Sequence, residues 1–163
     1  MKLTLSVLLF ICATNAISQD RITADDLQSI LGEWQGTITY LDYQSNEPFS
    51  MPAELSVEPG KDEYTLVLNN IYPNEPKANN SEKLKVSNDG TVINKEKLIS
   101  RKELEDGSIR IQAERSGKDD GRKARIRHTY IIGSDSFLIR KDVRFDGGEE
   151  WIMRSEYRYT RKS

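Results

Sequence analysis

The chain has 163 residues, with 24 Lys and Arg against 26 Asp and Glu, one histidine and one cysteine. Near-balanced charge with no block of either sign argues against a dedicated nucleic-acid binder. One histidine and one cysteine give no metal-ligand spacing, so neither a metal nor another cofactor is expected.

Residues 1–18 read as a secretory signal. Lys2 is the charged start, Leu5 to Ile11 are mostly apolar, and small residues follow. Cleavage after Ala16 or after Ser18 leaves small residues at the two positions such a site requires. The apolar run is too short to span a membrane. Cys12 follows Ile11, which is larger than the small residue a lipoprotein box wants, so lipid attachment is not expected. Removal of the signal also removes the only cysteine, and the net charge becomes about −3. Residues 19–163 are then one disulfide-free domain, long enough to build its own core. That combination fits a bacterial periplasm or cell surface, or a secreted monomer.

One helix opens the domain. Thr23 is a good N-cap with Asp26 three residues on, close to a capping box. Ile22 and Leu27 stand at staple positions, and Leu27, Ile30 and Leu31 share a face. Gly32 follows as a left-handed residue that ends the helix, and Trp34 opens the first strand.

From there the chain reads as nine strands, near 34–43, 50–58, 63–70, 82–87, 91–103, 108–115, 122–132, 136–145 and 150–161. Between them stand turn signals such as Asn46-Glu47-Pro48, Pro59-Gly60, Asp89-Gly90, Asp106-Gly107, Gly117 to Gly121 and Asp146-Gly147-Gly148. The stretch 95–104 reads equally as a helical turn. Successive hairpins make an up-and-down meander, and closing it removes the exposed edges. The expected fold is all-β: an antiparallel up-and-down barrel of about 8–9 strands, capped at one end by a short N-terminal helix.

The helix, then Gly32-x-Trp34 at the first strand, then a meander ending in "RYTRK", resembles lipocalin-like barrels of the calycin group. The resemblance implies that the tryptophan lies at the closed end under the helix. It also implies that an arginine of the last strand, Arg158 or Arg161, packs over it as a cation–π partner. For function it implies binding of a small, largely apolar molecule. The chain departs from the group in being short and in lacking the disulfide of animal lipocalins.

Strand 122–132 alternates cleanly, with Ala124, Ile126, His128, Tyr130 and Ile132 on one face. Keeping apolar faces together pairs Ile132 with Phe137, Tyr130 with Ile139, His128 with Lys141, and Ile126 with Val143. The single histidine then meets an inward lysine. Together they would anchor a carboxylate or another anionic head group; alternatively they sit at the rim, with the lysine snorkelling to water. Tyr130, Tyr40, Trp151 and Tyr157 complete the candidate ligand-binding set. Met51, Ala53, Leu55, Val57, Leu66, Leu68 and Met153 also face inward, either filling a core or lining a cavity.

The outer face of the last three strands carries Arg125, Arg127, Arg140, Arg144, Arg154 and Arg158, with Asp142 and Glu156 between them. This supports an alternative, a non-enzymatic interaction module contacting an anionic glycan, a lipid surface or an acidic partner. Cross-strand ion pairing explains the same residues. No nucleophile elbow, phosphate loop or zinc motif is present. Asp25-Asp26 and Asp119-Asp120 fall where aspartates serve caps and turns. The reading therefore leans away from an enzyme and assigns no catalytic residue.

Overall fold

Thr23 and Asp26 cap α1 (Ala24–Gln28) reciprocally. The Asp26 amide donates to the Thr23 hydroxyl at 3.2 Å, and the Thr23 amide donates to the Asp26 carboxylate at 2.9 Å. This is a capping box with Asp in place of the usual Glu. The computed structural model describes residues 21–42, 45 and 47–163. The signal read over 1–18, with Cys12 and both cleavage positions, lies outside the described residues.

The helix ends earlier than expected, at Gln28, so Gly32 is not its terminating residue. Gly32 instead begins the first strand with φ +114. A side chain there would be strained, and its Cβ would stand 3.1 Å from the Arg161 guanidinium. Glycine at this position lets the chain turn sharply beneath the residue that caps Trp34.

Ten strands follow: β1 Gly32–Leu41, β2 Pro48–Pro59, β3 Thr65–Ile71, β4 Asn80–Lys85, β5 Val92–Ile93, β6 Glu96–Glu103, β7 Ile109–Asp119, β8 Arg122–Ile132, β9 Ser136–Phe145 and β10 Ile152–Arg161. Every pairing is antiparallel, in the order β4-β3-β2-β1-β10-β9-β8-β7-β6-β5. Consecutive strands neighbour each other, and the first strand pairs with the last. The result is a nearly closed up-and-down barrel with one short N-terminal helix.

Two expectations change. The single strand expected at 91–103 is two strands, β5 and β6, and the helical-turn alternative over 95–104 also fails. Asn94 and Lys95 take φ of +47 and +68 and make a two-residue hairpin turn. Strand β7 runs on to Asp119, through the expected loop, and turns at Asp120 and Gly121, again with positive φ. Gly117 is a strand residue. A Cβ there would collide with Nη1 of Arg115, so its missing side chain gives that guanidinium room.

Closure is made at a seam between β4 and β5. Val86 bridges to Ile93, the Lys85 amide donates to the Asn94 side-chain oxygen at 2.8 Å, and the Asn94 amide donates to the Lys85 carbonyl at 2.8 Å. Nearer the open end, Arg115 to Asp119 of β7 pair with β8 alone, and β4 pairs with β3 alone. The wall therefore carries a notch above the seam. Replacing Asn94 by alanine is expected to destabilise the barrel by about 1–2 kcal/mol, through the lost bond and the left-handed backbone. Amide exchange at Lys85 should accelerate relative to β8 and β9; unchanged exchange would mean the seam is held elsewhere.

The core fills the closed half. Trp34 is fully buried among Leu27, Ile30, Leu55, Ile132 and Phe137. A smaller apolar cluster of Ala124, Ile126 and Val143, backed by Phe145, stands toward the open end. By register, the level between them is that of His128 and Lys141.

Candidate functional site

The β8–β9 register is the one expected from the alternating faces, with His128 opposite Lys141 and Tyr130 opposite Ile139. The two basic side chains do not act as an isolated pair, however. The His128 Nδ1 lies 2.9 and 2.8 Å from the two oxygens of Glu96, which is 2% exposed. Nδ1 therefore carries the hydrogen that it donates to this carboxylate, and Nε2 is left without a protein partner among the described residues. Arg115 donates its Nε to the same carboxylate at 3.1 Å. Lys141 turns instead to Asp119, at 2.7 Å, and Arg154 donates to the other oxygen of Asp119 at 3.0 Å.

Glu96, Arg115, His128 and Lys141 line a cavity of about 370 Å³ together with Tyr130, Ile139 and Tyr157, while Asp119 and Arg154 stand behind Lys141 and are not part of its lining. On the seam side Asn70, Glu82, Lys83 and Asn94 complete its wall, so the cavity reaches the notch between β4 and β7. Burial, helped by the charges of Glu96 and Glu82, holds the Tyr130 hydroxyl well above the usual phenol range. Burial and the bond to Tyr72 at 3.1 Å raise Tyr157 likewise. Both phenols thus stay protonated and able to donate. The arrangement can receive a small molecule with an apolar body against Leu68, Leu84 and Ile139 and a polar end among the charged groups.

The crystal structure of Rv2717c from M. tuberculosis aligns with a TM-score of 0.51 and 13% identity, over 88% of this chain and 100% of that one. A protein of unknown function of the DUF3598 family from Nostoc punctiforme aligns with a TM-score of 0.41 and 12% identity, over 88% of this chain and 51% of that one. No known family model matches the chain, and no curated protein matches it. At this identity the first likeness shows the fold alone.

Of the six residues expected to bind a ligand, His128, Lys141, Tyr130 and Tyr157 meet in the cavity. Tyr40 does not line it. Its ring packs on Phe49, with centroids 5.4 Å apart. Trp151 is on the outer face, with the Arg127 and Arg144 guanidinium groups 3.9 and 5.0 Å from its ring. The cause is a register shift in β10 between Met153 and Ser155. It turns Trp151 and Met153 outward and Arg154 inward, against the alternation expected for that strand.

At the closed end, Arg161 is the residue that covers Trp34, 4.1 Å from the ring. It also donates to the Leu31, Ser29 and Ser134 carbonyls. The other candidate, Arg158, pairs with Glu156 at 2.7 Å on the outside. Arg140 bonds Asp142 at 2.8 Å, and Arg125 and Arg127 share Glu114. With four outer arginines paired and Arg154 inside, little unpaired positive charge remains for a docking surface.

Glu96, Arg115, Asp119 and Arg154 escape the reading of alternating faces. Asp120-Gly121 and Asn94-Lys95 are two-residue turn signals that extend β7 and split β6 from β5, and they would have placed the first three. Nothing in the sequence announces the bulge that places Arg154.

Proposed function

We propose that this chain is an exported, lipocalin-like binding protein that seats a small amphiphilic molecule inside the barrel. The observation that carries the reading is the cavity of about 370 Å³ between two apolar clusters, where tyrosines and aliphatic side chains meet an organised set of charges. The apolar part of a ligand would lie on Tyr130, Tyr157 and Ile139, and its polar part against Arg115, His128 and Lys141. The notch between β4 and β7 offers an entry from the side.

Ser155 lines the cavity on β10 opposite Lys141. Its replacement by tryptophan is expected to fill the site. Anilinonaphthalenesulfonate should bind the parent protein with a rise in fluorescence, and Ser155→Trp should weaken that binding at least tenfold while the circular dichroism of the barrel is kept. Equal binding by a folded Ser155→Trp variant would overturn the reading.

A further inference from the structure

We propose that His128 and Tyr130 form a paired acceptor and donor that reads one hydroxyl group, so that the cavity selects a small alcohol or phenol rather than an organic acid. This rests on the binding role proposed above and narrows it.

The two side chains are neighbours on the inner face of β8, two residues apart, with ring centroids 6.4 Å from each other. Both line the cavity. His128 spends Nδ1 on the Glu96 carboxylate, at 2.9 and 2.8 Å, so the neutral imidazole presents Nε2 as an acceptor. Tyr130 is 5% exposed, and its hydroxyl makes no hydrogen bond among the described residues. An acceptor and a donor are thus left open side by side, and leaving either unpaired inside the barrel is costly. A hydroxyl meets both from one atom: its hydrogen goes to Nε2, and its oxygen accepts from Tyr130.

An acid suits this pair badly. A carboxylate has no hydrogen to give Nε2. Burial and the negative charges of Glu96 and Glu82 keep the Tyr130 phenol protonated, and the same two charges oppose an anion placed against it. The cations on the cavity wall already face carboxylates: Arg115 donates Nε to Glu96 at 3.1 Å, and Lys141 bonds Asp119 at 2.7 Å.

Size sets the body of the ligand. The cavity of about 370 Å³ is at the small end of the range for ligand sites, about 300–1,000 Å³. Toward the closed end the barrel is filled by Trp34, Phe137 and their neighbours. The space suits a single ring against Leu68, Ile139 and Tyr157 rather than a long acyl chain.

The test is calorimetric titration of the whole protein with p-cresol, its methyl ether p-methylanisole, its shape match p-xylene and the acid p-toluate. The cresol should bind at least tenfold tighter than each of the other three. Tyr130→Phe keeps the ring and removes the donor; it should weaken cresol binding about tenfold and leave p-xylene binding as it was. Nitrogen NMR of the single histidine gives a second reading that needs no variant. The Nε2 signal should move on addition of p-cresol and stay in place with p-xylene. If the ether, p-xylene or p-toluate binds within tenfold of the cresol, the hydroxyl proposal is overturned and the binding role stands. An Nε2 signal unmoved by p-cresol, or a folded Tyr130→Phe variant that binds it unchanged, has the same consequence. Failure of all four ligands also overturns the hydroxyl proposal, and the binding role falls with it only if anilinonaphthalenesulfonate is unaffected by Ser155→Trp.

Discussion

Trp34→Ala is expected to cost roughly 3–5 kcal/mol of folding stability, the range for truncating a large core aromatic. Trp34 is 0% exposed, and its indole nitrogen donates to the Ile30 carbonyl at 2.9 Å. Phe137 packs at 5.9 Å between ring centroids, and Arg161 covers the other side. Truncation would open a void beneath α1 and leave a buried carbonyl without its donor. The arginine loses its aromatic partner in the same step. Trp34→Ala and Arg161→Ala should therefore be less than additive, by about 1 kcal/mol. Urea unfolding measures all three variants. A single-mutant loss below about 1 kcal/mol would mean that Trp34 does not plug the closed end.

The same corner shows what alternation can carry. Capping chemistry at Thr23 and an arginine-rich last strand are local signals, so helix, tryptophan and covering arginine are legible together. The sequence leaves Arg158 and Arg161 as equals, because pairing distance along β10 decides between them: Arg161 stands opposite Trp34 and Arg158 opposite Thr37. Strands β8 and β9 are legible down to register, since a slip of one residue would turn Ile126, Val143 and Phe137 to solvent.

The charged half of the cavity is harder to read, for three physical reasons. Gly117 resembles a loop residue, yet it is a strand position emptied for a neighbouring guanidinium. Asn94-Lys95 is a turn signal set inside an otherwise strand-like run, and both residues adopt left-handed backbone because the hairpin and the seam both reward it. The bulge at Met153 to Ser155 inverts the faces before it, which moves Trp151 out and Arg154 in. Buried carboxylates such as Glu96 are invisible to hydropathy until the cations that compensate them are placed nearby. The charged half of the cavity therefore depends on long-range pairing, while the closed end depends on neighbours along the chain.

A second large effect is expected where α1 is tied to the wall. Asp26 is 2% exposed and receives two bonds from Arg101 of β6, from Nε at 2.8 Å and from Nη2 at 2.7 Å. This fixes the helix across the closed end, over Trp34. Burial works to raise the Asp26 carboxyl, but Arg101 and the Thr23 amide together outweigh it and lower it from 3.8. In the acid range the unfolded chain thus binds more protons at this residue than the folded one. The stabilisation is complete above the unfolded value, fades as pH falls below it, and is gone once the lower folded value is passed. Asp26→Asn keeps the shape and an oxygen for the Thr23 amide but removes the charge. It should cost about 3 kcal/mol at neutral pH, the lower end for breaking a buried pair, because Arg101 retains some access to water. The deficit should shrink as pH falls below about 4. Arg101→Gln should cost as much or more, since it leaves a buried carboxylate with no cation. Burial then acts with less opposition, so this variant should lose the acid-side slope that the parent shows. Unfolding free energies of the three proteins measured between pH 2 and pH 7 separate these outcomes. An unchanged acid slope in Arg101→Gln would show that Asp26 does not draw its stability from the arginine, and the tie between helix and barrel wall would have to come from its other contacts, the apolar packing of Ile22 and Leu27 and the bonds of Trp34 and Arg161 to the Ile30, Ser29 and Leu31 carbonyls.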